Sequence, residues 1–169
     1  MEPKRLIEST QRLQALCVEH GVTVSVAESL TAGLIGATLG SVAGSSAYFE
    51  GGVIAYSPQV KQWLLGVSGE VIERFGVVSC ECATAMATGV RNACGSRAGV
   101  AVTGEAGPQA GDEGVEVGTV WIAVSLDDST VAHEFFFNGD RNAIRNQTVV
   151  EAITFLTETI LNAAKDSCF

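Results

Sequence analysis

The stretch Val24-Ser25-Val26-Ala27-Glu28-Ser29-Leu30-Thr31-Ala32-Gly33 constrains this chain more than any other. The β-branched run at 22–26 reads as a buried strand. It breaks into Glu-Ser, then Thr and small residues, then an apolar-periodic segment with Leu34, Ile35, Ala37 and Thr38. A strand that ends where a helix begins places Ser29 at the joint, beside the first helical N–H groups, which have no partner within a helix. Such a joint can hold an anion or stabilise a developing oxyanion. The plainer reading is that Ser29 or Thr31 is an N-cap and nothing more.

Around this joint the chain alternates. Helical periodicity covers residues 6–19 and Gly21 stops it. Residues 40–46 are a loop by composition, and 47–56 a strand interrupted by Gly51-Gly52, which marks a bulge or a close backbone approach. Ser57-Pro58 opens the next helix, with Ser as N-cap and Pro at the first helical position. This helix carries Lys61 and runs to about 65. Residues 71–75 form a short helix, and Ser79 caps a longer one reaching about 94. Residues 98–103 are a small-residue strand and 104–116 a loop. Residues 117–126 and 131–137 pair as a hairpin around Asp127-Asp128-Ser129, and a last helix spans 141–164. The order predicts one domain over 1–169: a three-layer α/β/α sandwich with a mixed sheet of about five strands.

Composition narrows the partners. With 169 residues and 47% hydrophobic content, a full core needs no staple. A net charge of −9 opposes binding to a phosphate backbone, so no nucleic-acid partner is expected. No apolar run reaches membrane-spanning length and no signal-type segment follows the N-terminus, so no membrane partner and a cytoplasmic location are expected. The cysteines Cys17, Cys80, Cys82, Cys94 and Cys168 are odd in number, which argues against a disulfide framework. Cys80-x-Cys82 lacks zinc spacing, and His20 and His133 are the only imidazoles, so neither metal nor cofactor is expected.

Four stretches bring polar chemistry to strand ends, where open α/β sheets bind ligands: Glu28-Ser29-x-Thr31, Tyr56-Ser57-Pro58-x-x-Lys61, Thr103-Gly104-Glu105-Ala106-Gly107-Pro108 and Asp140-Arg141-x-x-x-Arg145. A serine nucleophile needs a base, and both histidines lie outside these stretches. A neutral lysine is the remaining route. Lysine starts near a pKa of about 10.4, so it needs desolvation or neighbouring cations. Against this, Lys61 could sit on a solvated helix face. Arg141 and Arg145 are four apart and share a helix face, in first turns where the macrodipole disfavours cations. That points to an anion there or, equally, to pairing with carboxylates. For Gly104 and Gly107 the plain reading is turn geometry, and for Tyr56 a core ring with its hydroxyl at the surface.

Taken in order, the chain resembles the C-terminal domain of the CinA (competence/damage-inducible) family, also called the nicotinamide mononucleotide deamidase family. The residues that carry the resemblance are Ala27-Glu28-Ser29-x-Thr31-x-Gly33, Gly44-Ser45-Ser46-x-x-Phe49, Tyr56-Ser57, Lys61, Leu65-Gly66-Val67, Thr103-Gly104-x-Ala106-Gly107-Pro108, Val117-Gly118-Thr119-Val120 and Gly139-Asp140-Arg141-x-x-Ile144-Arg145. The resemblance implies an amidohydrolase converting nicotinamide mononucleotide and water to nicotinic acid mononucleotide and ammonia. It implies a nucleophile at Ser29, a base at Lys61 and a supporting hydroxyl at Tyr56. Substrate contacts are expected at Leu30, Thr31, Gly33, Ser46, Thr103, Gly104, Arg141 and Arg145. The chain departs from the family pattern at Leu30 and Ala32, where Cys and Gly are usual, and at Glu105, where Ile is usual. It departs again at Ala110-Gly111 and Val115-Glu116. The partner expected is a small-molecule nucleotide, and the assembly a homo-oligomer, a dimer in the first instance. The alternative is a non-catalytic nucleotide-binding or regulatory relative that keeps the pocket. Because the chain starts directly at the first helix, it reads as a stand-alone version of the domain.

Overall fold

The computed structural model describes residues 3–109 and 114–166, so Ala110-Gly111 and Cys168 lie outside the described residues. In chain order the elements are α1 (Pro3–His20), β1 (Val24–Glu28), α2 (Leu34–Gly40), a single 3₁₀ turn (Ser45–Ala47) and β2 (Phe49–Ile54). They continue with α3 (Pro58–Leu65), α4 (Gly69–Phe75), α5 (Cys80–Cys94), β3 (Ala98–Gly104), β4 (Thr119–Leu126), β5 (Ser129–Phe136) and α6 (Arg141–Asp166). The five strands form one sheet in the order β2-β1-β3-β4-β5. β1 runs parallel to both β2 and β3, and the β4–β5 hairpin adds two antiparallel strands. Helices cover both faces, so the mixed α/β/α sandwich expected from the element order is the architecture found.

The two faces of the sheet differ in side-chain size. Val24, Val26, Val100, Val102, Val120, Ile122 and Val124 belong to one core with α1, α2 and α6. Ala27, Ala101 and Ala123 belong to the other, against Cys82, Ala83, Met86 and Ala87 of α5. Alternation along each strand produces this split, because successive side chains point to opposite faces. The small face lets α5 lie close to the sheet: a methyl group at Gly99 would run into the Ala87 carbonyl. Each branched side chain fully buried on the large face stabilises the fold by about 1.5–3 kcal/mol. Two titratable groups serve this packing alone. Burial pushes the Cys17 thiol and the Tyr48 phenol up to about 12 each.

Local signals place most elements. Ser57 accepts from the Val60 N–H (3.3 Å) ahead of Pro58, and Ser79 accepts from the Cys82 N–H (3.1 Å). At β2 both readings of Gly51-Gly52 hold. The register with β1 shifts between Val24 and Ser25, and a methyl at Gly52 would meet the Val26 carbonyl.

The opening joint differs from expectation in two ways. β1 is displaced toward the C-terminus and keeps Glu28 as a paired strand residue. The helix does not open directly beside Ser29 but at Leu34, because Ala32 (φ 50°) and Gly33 (φ 97°) adopt left-handed conformations that interrupt a right-handed helix. Neither Ser29 nor Thr31 caps it. Gly33 stands at the cap position, and the Glu28 carboxylate reaches under the turn to take the helix's free N–H groups.

Candidate active site: a buried lysine at the Ser29 turn

The carboxyl ends of β1, β2 and β3 meet at one edge of the sheet, and most of the candidate residues converge there. Ser29 leaves β1 in a turn that reaches α2. Its N–H donates to the Val102 carbonyl (3.1 Å), and its own carbonyl accepts from the Ala32 N–H (3.1 Å). Lys61 comes from α3, whose start is fixed by the Ser57-Pro58 cap. Its side chain is 1% exposed, so it is not on a solvated helix face. Nζ donates to the Ala55 carbonyl (2.7 Å) and to Ser29 Oγ (2.9 Å). Ser29 itself is only partly buried, so the hydroxyl side of this pair is reachable from outside.

Glu28 stands in the sequence motif, but the sequence assigned it no role. It is 2% exposed. One carboxylate oxygen accepts from the N–H groups of Gly33 (2.9 Å) and Ile35 (3.1 Å), the other from Gly36 (2.8 Å). An acid at the end of a fully buried strand was the available signal, since a buried carboxylate needs donors. By contrast, the N–H groups of Leu30 and Thr31 have no hydrogen-bond partner among the described residues. They are the two free donors of the turn that carries Ser29.

Of the two readings of the arginines from the sequence, the structure bears on the pairing with carboxylates. Among the described residues neither is paired with a carboxylate; the ion pair that is present joins Arg97 and Asp127. Arg145 instead donates to two backbone carbonyls, Nε to Leu30 (2.9 Å) and Nη2 to Thr31 (2.9 Å). Arg141 donates through Nη1 to the Gly107 carbonyl (2.8 Å) and through Nη2 to the Tyr56 hydroxyl (2.9 Å). Tyr56 follows β2 and Gly107 follows β3, the two neighbours of β1. Arg141 therefore straps together the chain segments on either side of Ser29. Tyr56 is 58% exposed, not a core ring.

The remaining candidates separate. Gly33 lies in the turn itself, where a side chain would stand 3.2 Å from Ile54 Cδ1. Thr103 is buried, and its hydroxyl donates to the Val77 carbonyl (2.7 Å), behind the sheet edge. Gly104 pairs with Val120 as the last residue of β3. Glu105 turns its carboxylate onto the Gly107 N–H (3.2 Å), in the loop that Arg141 holds. Ser46 is not at this edge. It precedes β2, whose first residue is level with Val24, so it sits at the amino end of the parallel strands, opposite Ser29.

A cavity of about 800 Å³ lies beside the site rather than in it, lined by Leu34, Thr38, Phe137, Ala143 and Val150 among others. It shares α2 and α6 with the Ser29 edge but none of the polar groups above. Among the described residues, no group of three His, Cys, Asp or Glu side chains comes together as a metal site. No helix among them is long and apolar enough to cross a membrane.

Comparison with known proteins agrees with this fold. A family model described as the CinA C-terminal domain matches residues 7–160. The chain is 47% identical over 138 residues to a putative competence-damage inducible protein of Desulforamulus reducens, covering 82% of this chain and 33% of that one. It is 45% identical over 137 residues to a protein of the same description from Bacillus subtilis, covering 81% and 33%. It thus spans about a third of the length of these curated relatives. Among solved structures, a CinA superfamily protein from Klebsiella pneumoniae superposes with a TM-score of 0.90 at 30% identity, covering 93% of this chain and 98% of that one. A competence/damage inducible protein from Agrobacterium tumefaciens superposes at 0.87 and 35%, covering 92% and 96%. With the model match extending over most of its length, the chain belongs to the CinA C-terminal domain family.

Proposed function

We propose that this chain is an amidohydrolase that converts nicotinamide mononucleotide and water into nicotinic acid mononucleotide and ammonia, with Ser29 as nucleophile and Lys61 as base. The observation that carries the reading is the 2.9 Å approach of Lys61 Nζ to Ser29 Oγ on an amine that is 1% exposed. Burial disfavours the charged form of an amine. A neutral Lys61 can keep its donation to the Ala55 carbonyl and accept the Ser29 proton over the same separation.

The chemistry then follows the usual course for an activated hydroxyl. Ser29 Oγ attacks the carboxamide carbon as Lys61 takes its proton. The carbonyl oxygen becomes an oxyanion, for which the free N–H groups of Leu30 and Thr31 are the available donors. Lys61 passes the proton to the amide nitrogen, the C–N bond breaks and ammonia leaves. Water attacks the resulting ester, its proton passes through Lys61 back to Ser29 Oγ, and the acid departs. The mononucleotide's phosphate is assigned to Arg141. Its present partners are a hydroxyl and a carbonyl, both neutral, and a phosphate is a stronger acceptor for a guanidinium.

Ammonia release from nicotinamide mononucleotide, from the riboside and from free nicotinamide tests the substrate class. The reading requires release from the mononucleotide with a clear preference over the other two. A chain that binds the mononucleotide but releases no ammonia is a non-catalytic nucleotide-binding protein instead. Equal rates on all three would remove phosphate recognition from the scheme.

A further inference from the structure

We propose that Arg145 and Glu28 are positioning residues that hold the Ser29 turn open as an oxyanion site, and that Arg145 does not contact the substrate's phosphate. The inference rests on reading Ser29 as a nucleophile. It concerns what makes the turn competent rather than which amide is cleaved.

The turn from Ser29 to Gly33 sits between two buried or half-buried charges of opposite sign. From below, Glu28 collects the N–H groups of Gly33, Ile35 and Gly36, so none of these can serve a ligand. From α6, Arg145 collects the carbonyls of Leu30 and Thr31 with two N–H groups of one planar fork. A planar trans peptide points its N–H opposite its C=O. Holding the Leu30 carbonyl on Arg145 Nε therefore fixes the Thr31 N–H in the opposite direction, away from α6. The Ser29 carbonyl is tied back by the Ala32 N–H, which fixes the Leu30 N–H in the same manner. The two donors left over are those of Leu30 and Thr31.

This arrangement also explains a cation near the N-terminus of α6, where the helix field disfavours it. Two carbonyl dipoles from another segment replace the absent carboxylate. Arg145 spends Nε and Nη2 on the carbonyls of the turn itself, so turning them to a phosphate would release the turn, whereas Arg141 bonds to no residue of it. Lysine at this position would keep the charge but not the fork, because an ammonium is a point donor on a flexible stem and does not reproduce the fixed spacing of Nε and Nη2.

The test uses a small alkyl fluorophosphonate, read by intact mass. Ser29 Oγ bonds to phosphorus, the P–F bond breaks, fluoride leaves and the serine proton goes to Lys61. The phosphonyl oxygen occupies the place of the oxyanion, so the labelling rate reports the turn without any nicotinamide substrate. Arg145→Lys should label at least about tenfold more slowly than wild type, in line with the 10²–10³ that a lost oxyanion donor costs. Its affinity for nicotinamide mononucleotide, measured in the Ser29→Ala background to prevent turnover, should stay within about twofold of the Arg145 parent, whereas losing a phosphate contact would cost more. Glu28→Gln supplies an independent second variant on the other side of the turn, and it should slow labelling in the same sense. An Arg145→Lys protein that labels at the wild-type rate, or that loses mononucleotide affinity tenfold with labelling intact, overturns the proposal. A wild-type chain that resists labelling overturns it too. A wild-type chain that labels at Ser29 yet releases no ammonia overturns only the deamidase reading.

Discussion

The two edges of the sheet solve the same problem in opposite ways. At the amino edge, Ser25 is fully buried and its hydroxyl meets Ser96 Oγ at 2.7 Å. Ser96 in turn donates to the Ala98 carbonyl at 2.9 Å. Nearby, Arg97 forks onto both oxygens of Asp127. Each of these groups has found a partner of matching charge or polarity. At the carboxyl edge, four residues further on and just past the end of the same strand, Ser29 meets an amine instead of a hydroxyl, and is partly open to solvent. Two arginines there rest on neutral acceptors, and two backbone N–H groups have none. Burying a polar pair is therefore not what distinguishes a reactive serine. What distinguishes it is a partner able to exchange a proton, an approach from outside, and donors left over for the charge that develops.

The largest expected effect tests that partner. Lys61→Arg keeps the charge but removes a group that can be deprotonated. Turnover should fall by at least about a thousandfold, more than general-base assistance usually contributes at its lower end. The wild-type rate should fall toward acid pH as the amine takes up a proton. An arginine variant near wild-type activity would make the carboxyl edge no different from the amino edge.

Next comes the strap. Arg141→Ala should weaken nicotinamide mononucleotide binding by about 1.5–3 kcal/mol, the worth of a charged hydrogen bond, and leave the riboside's affinity unchanged. Titration of both ligands against both proteins decides this. An equal loss for the riboside would mean that Arg141 only ties Tyr56 to Gly107.

At the amino edge the effects are on stability alone. Ser25→Ala leaves Ser96 its bond to the Ala98 carbonyl, so the cost should be about 1 kcal/mol, seen as a shift of roughly 2–4 °C in Tm. Ammonia release should not change. A loss of turnover in this variant would break the division between the edges.

The smallest effect belongs to Asp127. The hydrogen bond from Arg97 holds its carboxyl below the ordinary carboxylate value. A depressed carboxyl stabilises the fold fully above the unfolded value, about 3.9, and loses that contribution as pH falls through the folded value. Both groups are half exposed, so the effect is small. Urea midpoints of wild type and Asp127→Asn should differ slightly at pH 7 and converge as pH falls through the folded value. A difference that persists below that value would assign another role to Asp127.

Much of this was readable from local signals. The Ser57-Pro58 and Ser79 caps, the Gly51-Gly52 approach and the late hairpin all depend on neighbours in sequence, and they were found where expected. The joint at Ser29 was located correctly but its interior was not. Left-handed geometry at Ala32 and Gly33 delays the helix to Leu34, and the carboxylate that caps it belongs to the strand rather than to the turn. Ser46 reads as part of a motif, yet a residue just before a strand parallel to β1 lies at the far end of the sheet from a residue just after β1. The arginines were the least legible. Their helix position announces an electrostatic conflict. Its resolution lies in carbonyls more than a hundred residues away for Arg145, and in a hydroxyl 85 residues away for Arg141.

The central claim is that Ser29 becomes a nucleophile because Lys61 can take its proton. It is tested most directly by measuring ammonia release and mononucleotide affinity together in Ser29→Ala. The account predicts turnover reduced on the order of ten-thousandfold or more, with affinity close to wild type, because the phosphate and ring contacts lie elsewhere. Ammonia release from Ser29→Ala at a rate near wild type would contradict it.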